Sequence, residues 1–278
     1  MKLFRVKYFY IAALCLGRCA AQDAAAPLAQ DDSSLPDSPS FSAHRTVHEL
    51  PPGQDREATW RTVPGDFLHD QKHLWLFPTK LARGHDWVPT LAVAAATIGL
   101  IYADPHIMTH LRAPSQGLDN FNDVFDPMIT TSEVIALPAG LMAAGYVRHD
   151  PYQVSTALLA AEAYGDSAIV DLAMKAVTRR ERPSDVPVGA LNDTFFNAGK
   201  SPFKGSSFPS GHATAAFSVA AVVATRYRNH RWVPWAVYGM ATAIGISRIT
   251  SSAHFPSDVF AGAALGYTVT RFQVLRPR

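Results

Sequence analysis

The chain has 278 residues, 48% of them hydrophobic, which is enough for one sizeable core and favours a single main domain. The formal net charge is only +2 at pH 7, and no basic run is interleaved with aromatic residues. Nucleic acid is therefore excluded as an expected partner.

Residues 1–21 have the pattern of a secretory signal peptide: a basic head, an apolar stretch and a cleavage region of small residues. The mature protein is then expected to begin near Gln22. A lipoprotein signal ending at Cys19 is less favoured, because Arg18 stands where a small residue is needed. Both cysteines, Cys15 and Cys19, lie in this segment. Disulfides, cysteine nucleophiles and cysteine-ligated metals are thus excluded from the mature protein.

Residues 22–66 are rich in Ala, Pro, Ser and Asp and have little apolar periodicity, which predicts a disordered linker. The main domain is expected over residues 67–278. Its first segment, Phe67 to Leu81, places large apolar groups beside charged ones. We favour a helix packed across the domain over a helix lying on a membrane surface.

Six apolar stretches follow, each rich in Ala, Val, Leu and Gly, and several have a proline at or just before their start. No hairpin signal or alternating strand pattern competes with them. The sequence therefore predicts an all-α fold, a bundle of six core helices. Their ranges are 88–103, 134–147, 154–174, 212–225, 233–246 and 259–269.

Two proline-containing segments are expected to be linkers. The first covers residues 104–133, and the second covers 184–208. The second joins two of the motifs described below, so we expect it to lie over the functional site as a lid or rim.

Membrane placement is the least determined feature of the sequence. A span needs about 20 apolar residues, and most of the six stretches are shorter. If they did span, a translocated N-terminus and the positive-inside rule would give opposite orientations. A bundle that does not span removes this conflict. We therefore favour a globular enzyme of the periplasm or cell envelope, with an integral membrane enzyme as the second interpretation.

The first motif is Lys175 with Arg182 and Pro183. Seven positions make nearly two helical turns, so both basic side chains are expected on one face of a helix that Pro183 ends. An arginine fork and a lysine point charge can both bind phosphate oxygens. The neighbouring Arg179 and Arg180 are interpreted as a solvated basic helix end.

The second motif is Pro209-Ser210-Gly211-His212, which precedes an Ala-rich helix. Ser210 is a suitable N-cap residue, and Gly211 lets a ligand approach the backbone closely. Exposed N–H groups at a helix start bind anions. His212 would stand at the edge of the bound phosphate, where it can protonate a departing alkoxide as general acid.

The third motif is Ser247-Arg248, followed by His254 and Asp258. Arg248 supplies a third cation. His254 could attack phosphorus through one ring nitrogen while Asp258 accepts a hydrogen bond from the other nitrogen and fixes the tautomer. The simpler interpretation of Asp258 is a carboxylate at a helix start.

The three motifs in this order resemble, position for position, the phosphatidic acid phosphatase type 2 (PAP2) superfamily, which includes class A acid phosphatases and vanadium haloperoxidases. The resemblance implies a metal-independent phosphatase with an all-helical core of that type and no cofactor. It implies that His254 forms a phosphohistidine, that Asp258 orients it, and that His212 acts as acid and then as base for water. The implied phosphate ligands are Lys175, Arg182, Ser210, Gly211 and Arg248.

We therefore expect hydrolysis of phosphomonoesters, with a lipid phosphate or a small phosphate ester as substrate. No spacing of His, Asp and Glu predicts a metal site. One alternative is a vanadium-dependent haloperoxidase, in which vanadate would be the cofactor bound at His254. Another is a non-catalytic phosphate or lipid binder, which would need no proton donor such as His212. The sequence leaves the oligomeric state open.

Overall fold

The computed structural model describes residues 56–112, 116–125, 127–197 and 206–276. These residues form helices, turns and loops and contain no strand, which confirms the predicted all-α class. The predicted signal peptide, 1–21, and residues 22–55 of the predicted linker lie outside the described residues.

All six predicted core helices are present within the described residues, as α3 and α5 to α9, and several are longer than predicted. The helices are α1 (Val63–Trp75), α2 (Phe77–Ala82), α3 (Trp87–Leu111), α4 (Gln116–Val124), α5 (Pro127–Arg148), α6 (Pro151–Thr178), α7 (Gly211–Arg226), α8 (Val233–Thr250) and α9 (Pro256–Val269). A π-helical segment, Thr270–Val274, continues α9.

Helix α7 lies at the centre of the bundle, in contact with α6, α8 and α9. It is buried along most of its length and consists largely of Ala, Val, Ser and Thr. Glycines of α9 allow a close approach: a Cβ on Gly262 would lie 2.5 Å from the carbonyl oxygen of Ser210, and one on Gly266 would overlap the backbone of Thr214. A larger residue at either glycine would push α9 away from the start of α7.

The prediction that residues 104–133 form a linker is wrong. Helix α3 continues through Pro105 to Leu111, and α4 and the first turns of α5 occupy much of the rest. A proline inside a helix costs about 3 kcal/mol. The buried side chains of Asp104 and Met108 make contacts that offset this cost. Prolines alone therefore misled the prediction.

The predicted linker also ends too late, because the ordered domain includes residues from Arg56 onward. Arg56 is buried and donates hydrogen bonds to the carbonyl oxygen of Val274 (2.6 Å) and to Glu162 (2.7 Å). It also forms an ion pair with Asp66 at 2.7 Å. The backbone N–H of Ala58 donates to Ser155 Oγ at 2.8 Å. The linker was predicted from its polar composition, which does not reveal these contacts with distant residues.

Helix α1 packs against α6, as favoured from the sequence. Its Gln71 donates a 2.8 Å hydrogen bond to Asp166, which is completely buried. Acidic residues that recur along one helix favour a solvent-facing side over a buried polar network, but Glu162, Asp166 and Asp171 of α6 are all buried, so the solvent-facing interpretation is wrong. They are covered by side chains from α1, α7 and the segment around Arg56, which the spacing within α6 does not reveal.

Two of these carboxyls make stability depend on pH. Burial raises the pKa of Asp166 to about 7, and it raises that of Glu162 to about 7 against the opposing effect of Arg56. A carboxyl with a higher pKa in the folded chain favours folding while it is protonated. Its contribution is complete below about pH 4 and is lost as the pH rises through 7.

We therefore expect the thermal unfolding midpoint, Tm, to be lower at pH 8 than at pH 6. Asp166→Asn should remove about 1.4 kcal/mol of that difference, or about 3 to 6 °C in Tm. The measurement is circular dichroism melting at several pH values. Asp193→Asn, at an exposed carboxyl, is the matched control and should leave the change of Tm with pH as it is in the wild type. The prediction would be contradicted if the Tm of Asp166→Asn changed with pH as much as that of the wild type.

Candidate active site

His254 lies in the segment between α8 and α9 and is only 4% exposed. Its Nδ1 is 2.8 Å from the carbonyl oxygen of Ser207 and 3.7 Å from Oδ2 of Asp258. The predicted hydrogen bond to Asp258 is therefore not formed in this structure, and the Ser207 carbonyl takes its place. A carbonyl only accepts, so Nδ1 carries the proton and Nε2 has the free lone pair. Ser207 is a site residue that no sequence motif indicated.

Asp258 is completely buried and highly connected. It accepts hydrogen bonds from the backbone N–H of Phe255 (2.8 Å), from Arg180 (2.6 Å) and from the hydroxyl of Ser207. Burial raises the pKa of Asp258, but the neighbouring imidazole of His254 and the guanidinium of Arg180 outweigh burial and hold the pKa below its ordinary value. Asp258 is thus a lasting negative charge beside His254, as well as the helix-start carboxylate of α9.

Arg180 occupies a different environment from the one expected. It was interpreted as part of a solvated helix end, yet it is 1% exposed. Its guanidinium forms ion pairs with Asp258 and with Asp104 of α3, at 2.6 and 2.7 Å. It lies between the rings of Phe195 and Phe255, 4.3 and 3.8 Å from their centres. Arg180 therefore joins α3 to the start of α9.

The start of α7 presents the second motif. Ser210 is the N-cap residue by position, but its hydroxyl makes no cap hydrogen bond, contrary to the usual role of serine there. The backbone N–H of Ser210 instead donates to the carbonyl oxygen of Asp258 at 2.9 Å, which joins the second and third motifs. His212 follows on the first turn, with Nε2 3.4 Å from Oγ1 of Thr131 on α5.

Lys175 and Arg182 do not share a helix face, because α6 ends at Thr178 and Arg179 adopts a left-handed conformation (φ 42°). Lys175, near the end of α6, forms an ion pair with Asp171. Its Nζ lies above the start of α7, 3.0 Å from where a Cβ on Gly211 would be. The lysine and the second motif therefore meet.

Arg182 lies in the loop after α6, and Arg248 lies near the end of α8. Arg248 is 1% exposed, and its carbonyl oxygen accepts a 3.0 Å hydrogen bond from the backbone N–H of His254. In the described part of the chain, Nε of Arg182 and Oγ of Ser210 are buried without a hydrogen-bond partner. Both atoms can donate a hydrogen bond to an oxyanion.

The contacts thus link five of the predicted site residues from different parts of the chain. Lys175 lies against Gly211, Ser210 bonds to Asp258, and His254 stands beside Asp258. The arrangement offers a nucleophilic imidazole nitrogen, buried donors for an oxyanion and a second histidine that can transfer a proton.

Carboxylate oxygens of Asp70, Glu162 and Asp166 lie within 4.8 Å of one another, a spacing that can hold a cation. It is the one such group in the described ranges, and it contains none of the predicted site residues. The ion pair between Arg56 and Glu162 already places a positive charge there. We therefore assign this group no part in the chemistry of the predicted site.

The comparisons with known proteins agree with the motifs. Residues 156–276 match the family model of the PAP2 superfamily. This match covers all eight predicted site residues and confirms the resemblance.

A lipid A 1-phosphatase of Porphyromonas gingivalis is 38% identical over 95 residues, 31% of this chain and 21% of that protein. A bacitracin transport permease protein of Bacillus licheniformis is 44% identical over 61 residues, 22% of this chain and 29% of that protein. A lipid A 1-phosphatase of Rhizobium etli is 42% identical over 72 residues, 23% of this chain and 28% of that protein. The matches thus span less than a third of these relatives.

A solved structure also resembles this fold at a low level. It is described as the first transmembrane PAP2 type phosphatidylglycerolphosphate phosphatase, from Bacillus subtilis. The likeness covers 74% of this chain and 94% of that chain, with 20% identity and a TM-score of 0.38.

Proposed function

Since residues 156–276 belong to the PAP2 superfamily, we propose that the protein hydrolyses a lipid phosphate through a phosphohistidine at His254. The observation that carries this proposal is the 2.8 Å contact from Nδ1 of His254 to the Ser207 carbonyl. It leaves Nε2 as the nucleophilic nitrogen, next to buried groups that can bind an oxyanion.

In the first step, Nε2 of His254 attacks phosphorus, so that a P–N bond forms while the P–O ester bond breaks. His212, in its protonated form, gives its proton to the departing alkoxide. The cationic side chains of Lys175, Arg182 and Arg248 balance the charge on the phosphoryl oxygens. Because these groups are fixed in place, they can stabilise the transition state without a metal ion.

In the second step, water attacks phosphorus and gives its proton to the now neutral His212, the P–N bond breaks, and inorganic phosphate leaves. While phosphorylated, the His254 ring is positively charged. Asp258, with its carboxylate 3.7 Å away, stabilises that charge. The Ser207 carbonyl keeps the ring in one orientation throughout the cycle.

A lipid substrate is supported by helix α3. Among the residues that the structure describes, it is the one helix both long and apolar enough to cross a membrane, and 11% of its most apolar window is buried. Its 25 residues span about 37 Å. Large apolar side chains along it, such as Leu91, Ile98 and Tyr102, are exposed. We propose that α3 attaches the protein to a membrane of the cell envelope.

The same helix connects to the pocket. Asp104, in the last two turns of α3, pairs with Arg180, which in turn holds Asp258. The pocket therefore lies near one end of the apolar helix. That position suits a phosphate headgroup whose hydrocarbon chains remain in the bilayer. The names of the relatives called lipid A 1-phosphatases agree with a substrate of this class.

We expect the full chain, purified in detergent, to release phosphate from phosphatidic acid in the presence of EDTA. Vanadate should inhibit competitively, because its trigonal form resembles the transition state of phosphoryl transfer. The measurement is phosphate release, with p-nitrophenyl phosphate as a soluble comparison substrate. Loss of turnover on chelation would contradict the metal-free mechanism. Bromide oxidation with vanadate and peroxide, without phosphate release, would instead identify a haloperoxidase.

A further inference from the structure

The predicted phosphate pocket contains a carboxylate that the motifs do not include. Asp171 lies on α6, one turn before Lys175, and is 4% exposed. Its Oδ2 forms the ion pair with Lys175, and its Oδ1 is 3.5 Å from Oγ1 of Thr214 on α7. A negative charge here needs an explanation, because an anion site would bind phosphate more tightly without it.

The position of the pair ties it to the second motif. A Cβ on Gly211 would lie 3.0 Å from Nζ of Lys175 and 3.5 Å from Oδ2 of Asp171. A Cβ there would require Nζ of Lys175 to move slightly and would be in ordinary contact with Asp171, so both groups lie directly above the start of α7. The backbone N–H groups at that helix start are expected to donate hydrogen bonds to phosphate oxygens.

Lys175 cannot serve both anions equally. A phosphate oxygen that reaches its Nζ competes with the carboxylate of Asp171 for the same three N–H donors. Once Lys175 turns to phosphate, a buried Asp171 carboxylate would stand beside a dianion with its own partner withdrawn. Such a charge is strongly disfavoured in a buried site, and the carboxylate relieves it by taking up a proton.

We infer that Asp171 is a positioning residue that holds Lys175 over the start of α7. When the substrate phosphate binds, Lys175 leaves Asp171 and pairs with the phosphate, and Asp171 takes up a proton from solvent. This inference rests on the proposed function, because it concerns the same pocket. The charged groups that face Asp171 are Lys175 on its own helix and His254 before α9, while α7 presents the neutral Thr214. Burial already raises the pKa of Asp171 despite the opposing charge of Lys175, so protonation is within reach.

The exchange makes phosphate affinity depend on pH. Where Asp171 is ionised before binding, each bound dianion brings one proton with it, and affinity falls about tenfold for each unit of rising pH. In Asp171→Asn the side chain carries no charge to neutralise. That variant should bind the anion with less dependence on pH. Where Asp171 is ionised in the wild type, the variant should bind more tightly, by a factor that grows about tenfold with each unit of rising pH.

Sulfate is the suitable probe, because its charge stays constant from pH 5 to pH 9 and it cannot be hydrolysed. Calorimetric titration of the full chain in detergent, in two buffers that differ in ionisation enthalpy, counts the protons taken up per sulfate bound. We expect close to one proton at pH 8 for the wild type and fewer for Asp171→Asn. Asp166→Asn, also buried on α6 but without contact to Lys175, is the matched control and should behave as the wild type does.

The outcomes separate the two proposals. Failure of the wild type to bind sulfate would overturn the phosphate pocket, and this inference would fall with it. If the wild type bound sulfate without taking up a proton, only the role of Asp171 would be overturned, and this measurement needs no variant. Uptake that persists unchanged in Asp171→Asn would also overturn it, because the proton would then go to His212 or His254. A purely structural role would lower the Tm of Asp171→Asn but leave the proton count unchanged.

Discussion

Replacing His254 by alanine is expected to lower kcat/KM at least about 10⁴-fold, because the proposed mechanism transfers the phosphoryl group through Nε2 of this ring. The ring is held by the Ser207 carbonyl. Alanine removes that contact but leaves the buried ion pairs of Asp258 with Arg180 in place, so the fold should persist. The measurement is hydrolysis of phosphatidic acid and of p-nitrophenyl phosphate by the purified variant.

His212→Ala should behave differently and so separate the two histidines. With p-nitrophenyl phosphate, whose leaving group needs no proton, the variant should release one equivalent of p-nitrophenol and then stall. Mass spectrometry should find the acid-labile phosphate on His254. With an alkyl phosphate, which does need the proton, we expect a loss of about 10² to 10⁴-fold from the first turnover.

His230→Ala is the control for both variants. This histidine lies in the turn between α7 and α8, at the far end of α7 from Gly211, and alanine there should leave turnover within twofold of the wild type. Hydrolysis by His254→Ala at a rate near that of the wild type would contradict the nucleophile assignment. A stalled intermediate phosphorylated at another residue would contradict it as well.

Replacing Arg180 by alanine is expected to destabilise the fold by about 3 to 5 kcal/mol, because it leaves two completely buried carboxylates without their cation. Arg180 pairs with Asp104 and Asp258 and donates a 2.7 Å hydrogen bond to Ser257 Oγ. For a domain of this size the loss corresponds to a fall of about 6 to 20 °C in Tm. Activity should fall as well, since Asp258 stands beside His254.

Arg179→Ala is the matched control, one residue away at the end of α6. Within the described part of the chain, the side chain of Arg179 makes one hydrogen bond, 3.3 Å to the carbonyl oxygen of Ala176. Its replacement should change stability by less than about 0.5 kcal/mol. Asp104→Asn combined with Arg180→Ala should be less damaging than the sum of the two single variants. An Arg180→Ala protein that melts within 2 °C of the wild type would contradict the role assigned to this residue.

The local features of this protein were accessible from the sequence. Six apolar stretches became six helices, and His212 lies on the first turn of α7 as its motif predicts. These features depend on residues a few positions apart, where helical spacing and turn chemistry act. The sequence predictions failed where tertiary packing outweighed a local signal. Prolines suggested a linker over residues 104–133, whereas Pro105 lies inside α3.

The partners of the predicted site residues required the tertiary structure. Nothing near Arg180 in the chain distinguishes it from Arg179, yet one is buried between two carboxylates and the other is not. Asp104 lies 76 residues from Arg180, and Ser207 lies 47 residues from His254. Contacts of that separation depend on how the helices pack, which no spacing rule within one segment contains.

The sequence by itself determined the helical class, the order of the three motifs and the types of chemical group that they bring. Only the tertiary structure decided which nitrogen of His254 is free, that Lys175 is paired with Asp171, and that Asp258 is held by Arg180. The physical reason is that a side chain's type is written at its own position. Its charge and hydrogen-bond partners are set by neighbours that folding brings from elsewhere in the chain.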